Sequence, residues 1–255
     1  MNDAMKGLSL SGIKPVVGFG ICLGSIRIAE MVGRTGFDYA MVDLLHSHFT
    51  KEGATDAIRS LSRADGPVPI GRVADNSPGQ INDLLDAGAM GIIVPMVESR
   101  EEAGRAVEAA FYPPIGRRSK GSPAAVFYGN DYYARINSAL NLIVMIETPE
   151  AAAKADEILS VPGVTGCLIG AGDLSFILQV KGRIAEFRKT VEKTLAAGKK
   201  HGVAMGISVN SPEDLQEWWT EGADFFLVSH DMGILNSAIR SHEKKYLKLE
   251  ALVRT

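Results

Sequence analysis

The feature that most constrains this chain is a recurrence. Short apolar runs rich in β-branched residues alternate with helical patterns, and turn residues separate them. The apolar runs fall at 16–22, 37–43, 68–73, 91–95, 142–146, 164–169, 204–209 and 224–228. Helical patterns fall at 25–33, 50–62, 78–87, 99–110, after Glu147, at 184–201, at 212–221 and at the C-terminus. Such alternation predicts βαβ units and a parallel sheet. An open doubly wound sheet is one way to arrange it. Eight strands in 255 residues, with no linker between halves, favour an α/β fold of the (β/α)8 TIM barrel type, a single domain over 1–255.

Local signals agree with this division. Ser25 and Ser211 precede helical patterns as N-caps, and Ser99 with Glu102 forms a capping box. Pro78 stands at an early helical position, where its missing N–H costs nothing. The regular spacing breaks between Phe111 and Leu140, a segment carrying Arg117, Arg118, Lys120 and several aromatics. An insertion of that length is functional, disordered or partly helical.

Composition then removes whole classes of function. A net charge of −3 and a pI near 6.0 leave no basic excess for nucleic acid. No apolar run approaches the ~18 residues of a membrane span. The start, MNDAMKGLSLSG, has no cationic segment followed by an apolar core, so a cytoplasmic location is expected. Cys22 and Cys167 lie inside apolar runs and read as buried core thiols, without disulfide or zinc spacing. The glycines of VVGFGICLG lie within a strand rather than opening a helix, which argues against a dinucleotide site.

In a parallel barrel the active site is built at the C-terminal ends of the strands. Reading only those positions selects Asp43, His46 and His48, then Arg72, then Glu147. The later strands add the Gly170-Ala171-Gly172-Asp173 turn, Ser208 and Asn210, and Ser229, His230 and Asp231. Glu147 and Asp173 end consecutive strands, so they lie side by side at one mouth. Two carboxylates with open coordination positions suit a hard divalent cation such as Mg²⁺ or Mn²⁺. The alternative is that each acid only caps the helix that follows it. Arg72 is a candidate to hold a substrate carboxylate or carbonyl oxygen, and His46 is a candidate base. Asp86, in LLDAGAMG, is a candidate to orient a histidine. No strand-end lysine stands where a Schiff base would need one.

Two long stretches carry a resemblance: LLDAGAMGIIVPMVESREEAGRAVEAAFYPPIGRR and IVMIETPEAAAKADEILSVPGVTGCLIGAGDLS, with weaker matches at GFDYAMVDLLHS, PIGRV and AAGKKHGVAMGI. The chain resembles the HpcH/HpaI aldolases, metal-dependent class II pyruvate aldolases acting on 4-hydroxy-2-oxo acids. The resemblance implies metal ligands at Glu147 and Asp173 and a divalent cofactor, Mg²⁺, Mn²⁺ or Co²⁺. It implies a catalytic arginine at Arg72, a catalytic histidine at His46 paired with Asp86, and a further acid at Asp43. On the residues themselves, substrate contacts are expected from Arg72 and from the backbone of the Gly170, Ala171, Gly172 and Asp173 turn, which opens a helix. The resemblance also implies a homo-oligomer, a hexamer, with the terminal helix on a neighbouring subunit.

The chain departs from the family pattern at Leu45, where the family has an acid. It departs again at Met145, where the family has glutamine, and at GAGDLS, where the family has GPADLS. The connection after Asp173 reads as short. The expected activity is cleavage of a 4-hydroxy-2-oxo acid to pyruvate and an aldehyde by a carbon–carbon lyase. Two alternatives stand beside it. One is another acyl or CoA-type substrate, suggested by the basic 117–120 segment. The other is a catalytically weakened oxo-acid-binding protein, suggested by Leu45 and Met145.

Overall fold

The structure is a computed structural model that describes residues 5–62 and 65–247. The first four residues of the segment read above for a leader lie outside it, as do 248–255 of the span assigned to one domain. Eight strands form a closed barrel in sequence order, each pairing in parallel with its neighbours. They are β1 (Val16–Ile21), β2 (Tyr39–Asp43), β3 (Val68–Arg72), β4 (Gly91–Val94), β5 (Asn141–Ile146), β6 (Gly166–Ile169), β7 (Ala204–Ser208) and β8 (Phe225–His230). The strands are buried on both faces, which is why they read as continuous apolar runs rather than alternating ones.

The helices that cover the barrel are α1 (Ile26–Val32), α2 (Lys51–Leu61), α3 (Pro78–Ala87) and α4 (Arg100–Ala110) on the first half. Two helices, α5 (Ala124–Tyr128) and α6 (Tyr132–Ala139), occupy the irregular segment before β5. Then come α7 (Pro149–Ala153), α8 (Ala155–Leu159), α9 (Ala171–Val180), α10 (Phe187–His201), α11 (Pro212–Thr220) and α12 (Asp231–Leu247). The Ser99 hydroxyl accepts from the Glu102 amide at 3.2 Å, and the Glu102 carboxylate accepts from the Glu98 amide at 2.7 Å. Ser77 and Ser211 cap α3 and α11 in the same way, whereas the Ser25 side chain makes no cap bond.

Side chains alternate between the barrel interior and the helix layer. A Cβ added at Gly18 would sit 2.1 Å from the Tyr39 ring, and one at Gly206 would sit 2.2 Å from the Phe225 ring. These large inward rings fill the barrel because glycines face them, a close packing of large against small. The same Gly18 and Gly20 that resemble a nucleotide turn are therefore packing positions. Leu10 is buried against Gly166, and Asn141 donates to the Leu8 carbonyl at 2.8 Å, so the segment before β1 closes the bottom. The opposite end, where Asp43, Arg72 and Glu147 project, is the open mouth.

Two elements differ from the sequence reading. The segment after Asp173 is helical rather than an open loop. Residues 171–180 form α9, and the glycine-rich turn is its first turn. Its weak apolar periodicity and glycine start hid it. Of the basic 117–120 segment, Arg118 is committed inside the chain, while Arg117 and Lys120 are exposed. Arg118 is buried, donates to Asp86 at 2.6 Å and to Ser122 at 3.1 Å, and lies 4.7 Å over the Tyr112 ring. Arg117 pairs with Glu108, and Lys120 lies over Tyr133.

Candidate active site

The β2–β3 side of the mouth is an ion pair. Asp43 is fully buried and Arg72 has 13% of its side chain exposed. The guanidinium meets the carboxylate through two bonds of 2.7 Å, from Nε and Nη2. Asp43 also accepts from the Leu45 and His46 amides at 2.9 and 3.3 Å and from the Cys22 thiol at 3.6 Å. Burial opposes ionisation of Asp43. The Arg72 bonds and charge and the two amides more than offset it, leaving its carboxyl below the ordinary range. Burial likewise disfavours the Arg72 cation, and Asp43, with Glu147 further off, raises it back above its ordinary value. Arg72 thus has a partner within the chain, unlike the free arginine read from sequence. Its Nη1 makes no hydrogen bond among the described residues and remains to meet a ligand.

The β5–β6 side is built from two acids. Glu147 follows β5 and is 3% exposed. One carboxylate oxygen accepts from the Met96 amide at 3.0 Å. Asp173, exposed in the first turn of α9, stands close enough to share a hydrogen bond with it. Burial first, then the adjacent Asp173, pushes the Glu147 carboxyl above its usual range. The Met96 amide and Arg72 pull the other way without prevailing. No lysine or arginine bonds to either acid among the described residues. Gly170 makes the approach possible, because a Cβ there would lie 2.6 Å from Glu147 Cγ. A Cβ at Gly172 would meet nothing within 4 Å, so close approach is a property of Gly170 alone. Helix-capping is done by Thr148, whose hydroxyl accepts from the Ala151 amide. Glu147 is therefore free of the capping role. A buried carboxylate beside a second one, with no cation to neutralise them, is a donor set that fits a hard divalent ion.

His46 is exposed on the loop after β2, and its main chain is anchored by Asp43. Asp86 lies elsewhere in this chain. It lies in the last turn of α3, and turns after helices are at the bottom of the barrel, away from the mouth. There it pairs with Arg118 at 2.6 Å. Within this chain it does not orient His46. Its partner comes from the aperiodic 111–140 segment, and no spacing announced it. Gly170 is the N-cap of α9, and Ala171 and Gly172 begin that helix.

One residue reaches the mouth without having been singled out. Met96 is the one non-glycine residue with positive φ, 50°, among the described residues. A strained backbone is tolerated there because its N–H holds Glu147. Sequence reasoning filtered side chains, so a main-chain donor escaped it. Asp231 is buried at the end of β8, accepting from the Cys22 and Leu23 amides at 2.8 and 3.0 Å and tying β8 to β1. Ligand atoms of Cys22, His230 and Asp231 lie within 4.8 Å of one another. Their donors are already committed, however. The Asp231 carboxylate serves amides. Burial and the nearby Asp43 and Asp231 push the Cys22 thiol up to about 12. His230 Nδ1 accepts from the Gly233 amide at 3.1 Å.

Comparison with known proteins identifies a family. The family model for HpcH/HpaI aldolase/citrate lyase matches residues 22–238. The chain is 33% identical over 214 residues to 5-keto-4-deoxy-D-glucarate aldolase of Citrobacter koseri, covering 82% of this chain and 83% of that one. It is 35% identical over 224 residues to hydroxypyruvate/pyruvate aldolase of Rhizorhabdus wittichii, covering 83% and 86%. Among solved structures, an HpcH/HpaI aldolase from Desulfitobacterium hafniense superposes with a TM-score of 0.83 at 26% identity, over 91% of this chain and 93% of that one. The chain belongs to the HpcH/HpaI aldolase/citrate lyase family.

Proposed function

We propose that the protein is a divalent-metal-dependent carbon–carbon lyase that cleaves a 4-hydroxy-2-oxo acid to pyruvate and an aldehyde. The observation that carries this reading is the buried Glu147 against Asp173, facing the ion-paired Arg72 across one mouth. The aldolase names of the two relatives support it. Glu147 and Asp173 would hold the cation, which supplies Lewis-acid polarisation of the 2-oxo group when bound.

The chain's own residues have distinct tasks. Amides opening α9, at Ala171, Gly172 and Asp173, face outward at a helix N-terminus, a place that favours the substrate carboxylate. His46 takes the proton of the 4-hydroxyl. The C4–O bond then becomes the aldehyde carbonyl, the C3–C4 bond breaks, its electron pair forms the C2=C3 double bond, and the displaced carbonyl pair ends on the 2-oxo oxygen; a proton returned to C3 gives pyruvate. Arg72, fixed by Asp43, stabilises that negative oxygen through its remaining N–H groups. Asp43 is a positioning residue, since its oxygens are consumed within the chain. Exposed apolar residues along α12, Met232, Ile234, Leu235 and Ile239, support packing of that helix on another copy of the chain in a homo-oligomer. Light scattering measures the assembly.

The test is pyruvate release from a panel of 4-hydroxy-2-oxo acids by chelator-treated protein, with and without Mg²⁺, Mn²⁺ or Co²⁺. Release that needs the cation is expected. Undiminished release from chelator-treated wild type, or retained release from chelator-treated Glu147→Ala protein, would falsify the mechanism. Binding of oxo acids without release would mean the weakened binding protein, and release only from CoA esters the other alternative.

A further inference from the structure

The geometry points to His230 as the residue that reads the aldehyde-derived half of the substrate, selecting acids with a hydroxyl oxygen beyond C4. The inference rests on the aldolase reading above. It starts from a register change. β1 pairs with β8 as Gly18↔Leu227 and then as Phe19↔Ser229, leaving Val228 as an extra residue. A bulge of this kind re-aims the side chains beyond it.

In regular alternation with Phe225, position 230 would face the helix layer. After the bulge, Gly20 pairs with His230 instead. Gly20 is an inward position, since a Cβ there would lie 3.5 Å from Met41 Cε on the interior. The same Cβ would lie 3.0 Å from the Cβ of His230. The bulge therefore turns the imidazole into the mouth, and the missing Cβ of Gly20 makes room for it. Gly233 makes room on the other side, where an added Cβ would come within 3.2 Å of Cε1.

The ring is also oriented. The Gly233 amide donates to Nδ1, so in the neutral ring the proton is on Nε2. That Nε2–H makes no hydrogen bond among the described residues, although the ring is half-buried. The Cys22 thiol beside it is spent on Asp43. A half-buried donor without a partner, held by a bulge and two glycines, is arranged for a ligand.

Its place around the barrel says which part of the ligand. Arg72, Glu147 and Asp173 bound the oxo-acid end on β3, β5 and β6. β8 lies on the remaining side of the ring of strands, where the rest of the substrate must extend. A neutral N–H matches a neutral hydroxyl oxygen better than a carboxylate, which charged donors bind more strongly.

The test condenses pyruvate with glycolaldehyde or with propanal, using cation-loaded wild type, His230→Gln and His230→Leu. Deuterium exchange into the pyruvate methyl group, which needs no aldehyde, is followed alongside. The wild type prefers glycolaldehyde by kcat/KM, and His230→Leu lowers that preference about tenfold. His230→Gln, which keeps an N–H near the Nε2 position, retains most of it, and methyl exchange persists in both variants. An unchanged preference in His230→Leu overturns the assignment while leaving the aldolase reading intact. Loss of exchange in both variants would place His230 in the proton-transfer machinery and also overturns it. Absence of exchange in the wild type instead overturns the aldolase reading itself.

Discussion

Asp43 and Glu147 occupy equivalent places, inward at the mouth of one barrel and shielded from water, yet their carboxyl groups shift in opposite directions. Asp43 has a guanidinium seated on both oxygens and is held below the ordinary range. Glu147 has a second acid beside it and is held above. The first half of the mouth is electrostatically complete within the chain. The second has no lysine or arginine bonded to it among the described residues. The direction of each shift thus follows the choice of neighbour rather than of residue type.

The comparison can be broken by substitution, and the largest effect is expected at the incomplete half. Glu147→Ala should reduce kcat/KM for cation-dependent pyruvate release by about 10³-fold, while Asp43→Asn retains cation dependence. Steady-state assays with and without chelator read this directly. Asp43→Asn should instead cost about 3–5 kcal/mol of stability in urea unfolding, because it strands the buried Arg72 charge.

The pH dependences sharpen the contrast because their signs differ. Asp43, with its pKa lowered on folding, contributes stability above the ordinary carboxylate range. That contribution is lost as pH falls through its folded value, and Asp43→Asn should flatten this acid limb. Glu147, with its pKa raised, is a burden to the cation-free protein at neutral pH, and the burden is relieved as pH falls through its folded value. Cation-free Glu147→Gln should therefore melt about 2–4 °C higher than the wild type at pH 7, with the gap closing toward acid. The smallest change is expected at Met145, buried in β5 on the same inward face as Glu147. Met145→Gln adds an amide there and should alter KM for the oxo acid about 2- to 10-fold with little effect on kcat.

The barrel was legible because eight buried strands had to be short apolar runs, and capping residues such as Ser99 and Ser211 marked where helices begin. The acids at Glu147 and Asp173 were legible because strand ends converge by topology alone. Other features were concealed by the residues, each for its own reason. Met96 acts through its backbone amide, which no side-chain filter detects, and α9 begins with glycine and lacks a clear apolar stripe. The partner of Asp86 was hidden for another reason. Arg118 lies 32 residues away in an irregular segment, and only the tertiary structure shows that the pair forms away from the mouth. His230 was read as a strand-end histidine, but the bulge that turns it inward leaves no mark in the sequence.

The central claim is that Glu147 and Asp173 form a cation site that the chain leaves uncompensated. Calorimetric titration of chelator-treated protein with Mn²⁺, in two buffers of different ionisation enthalpy, measures binding and proton release together. The expected result is one Mn²⁺ per chain with proton release in the wild type, and loss of that binding in Glu147→Gln and Asp173→Asn. Undiminished binding in both variants would contradict it.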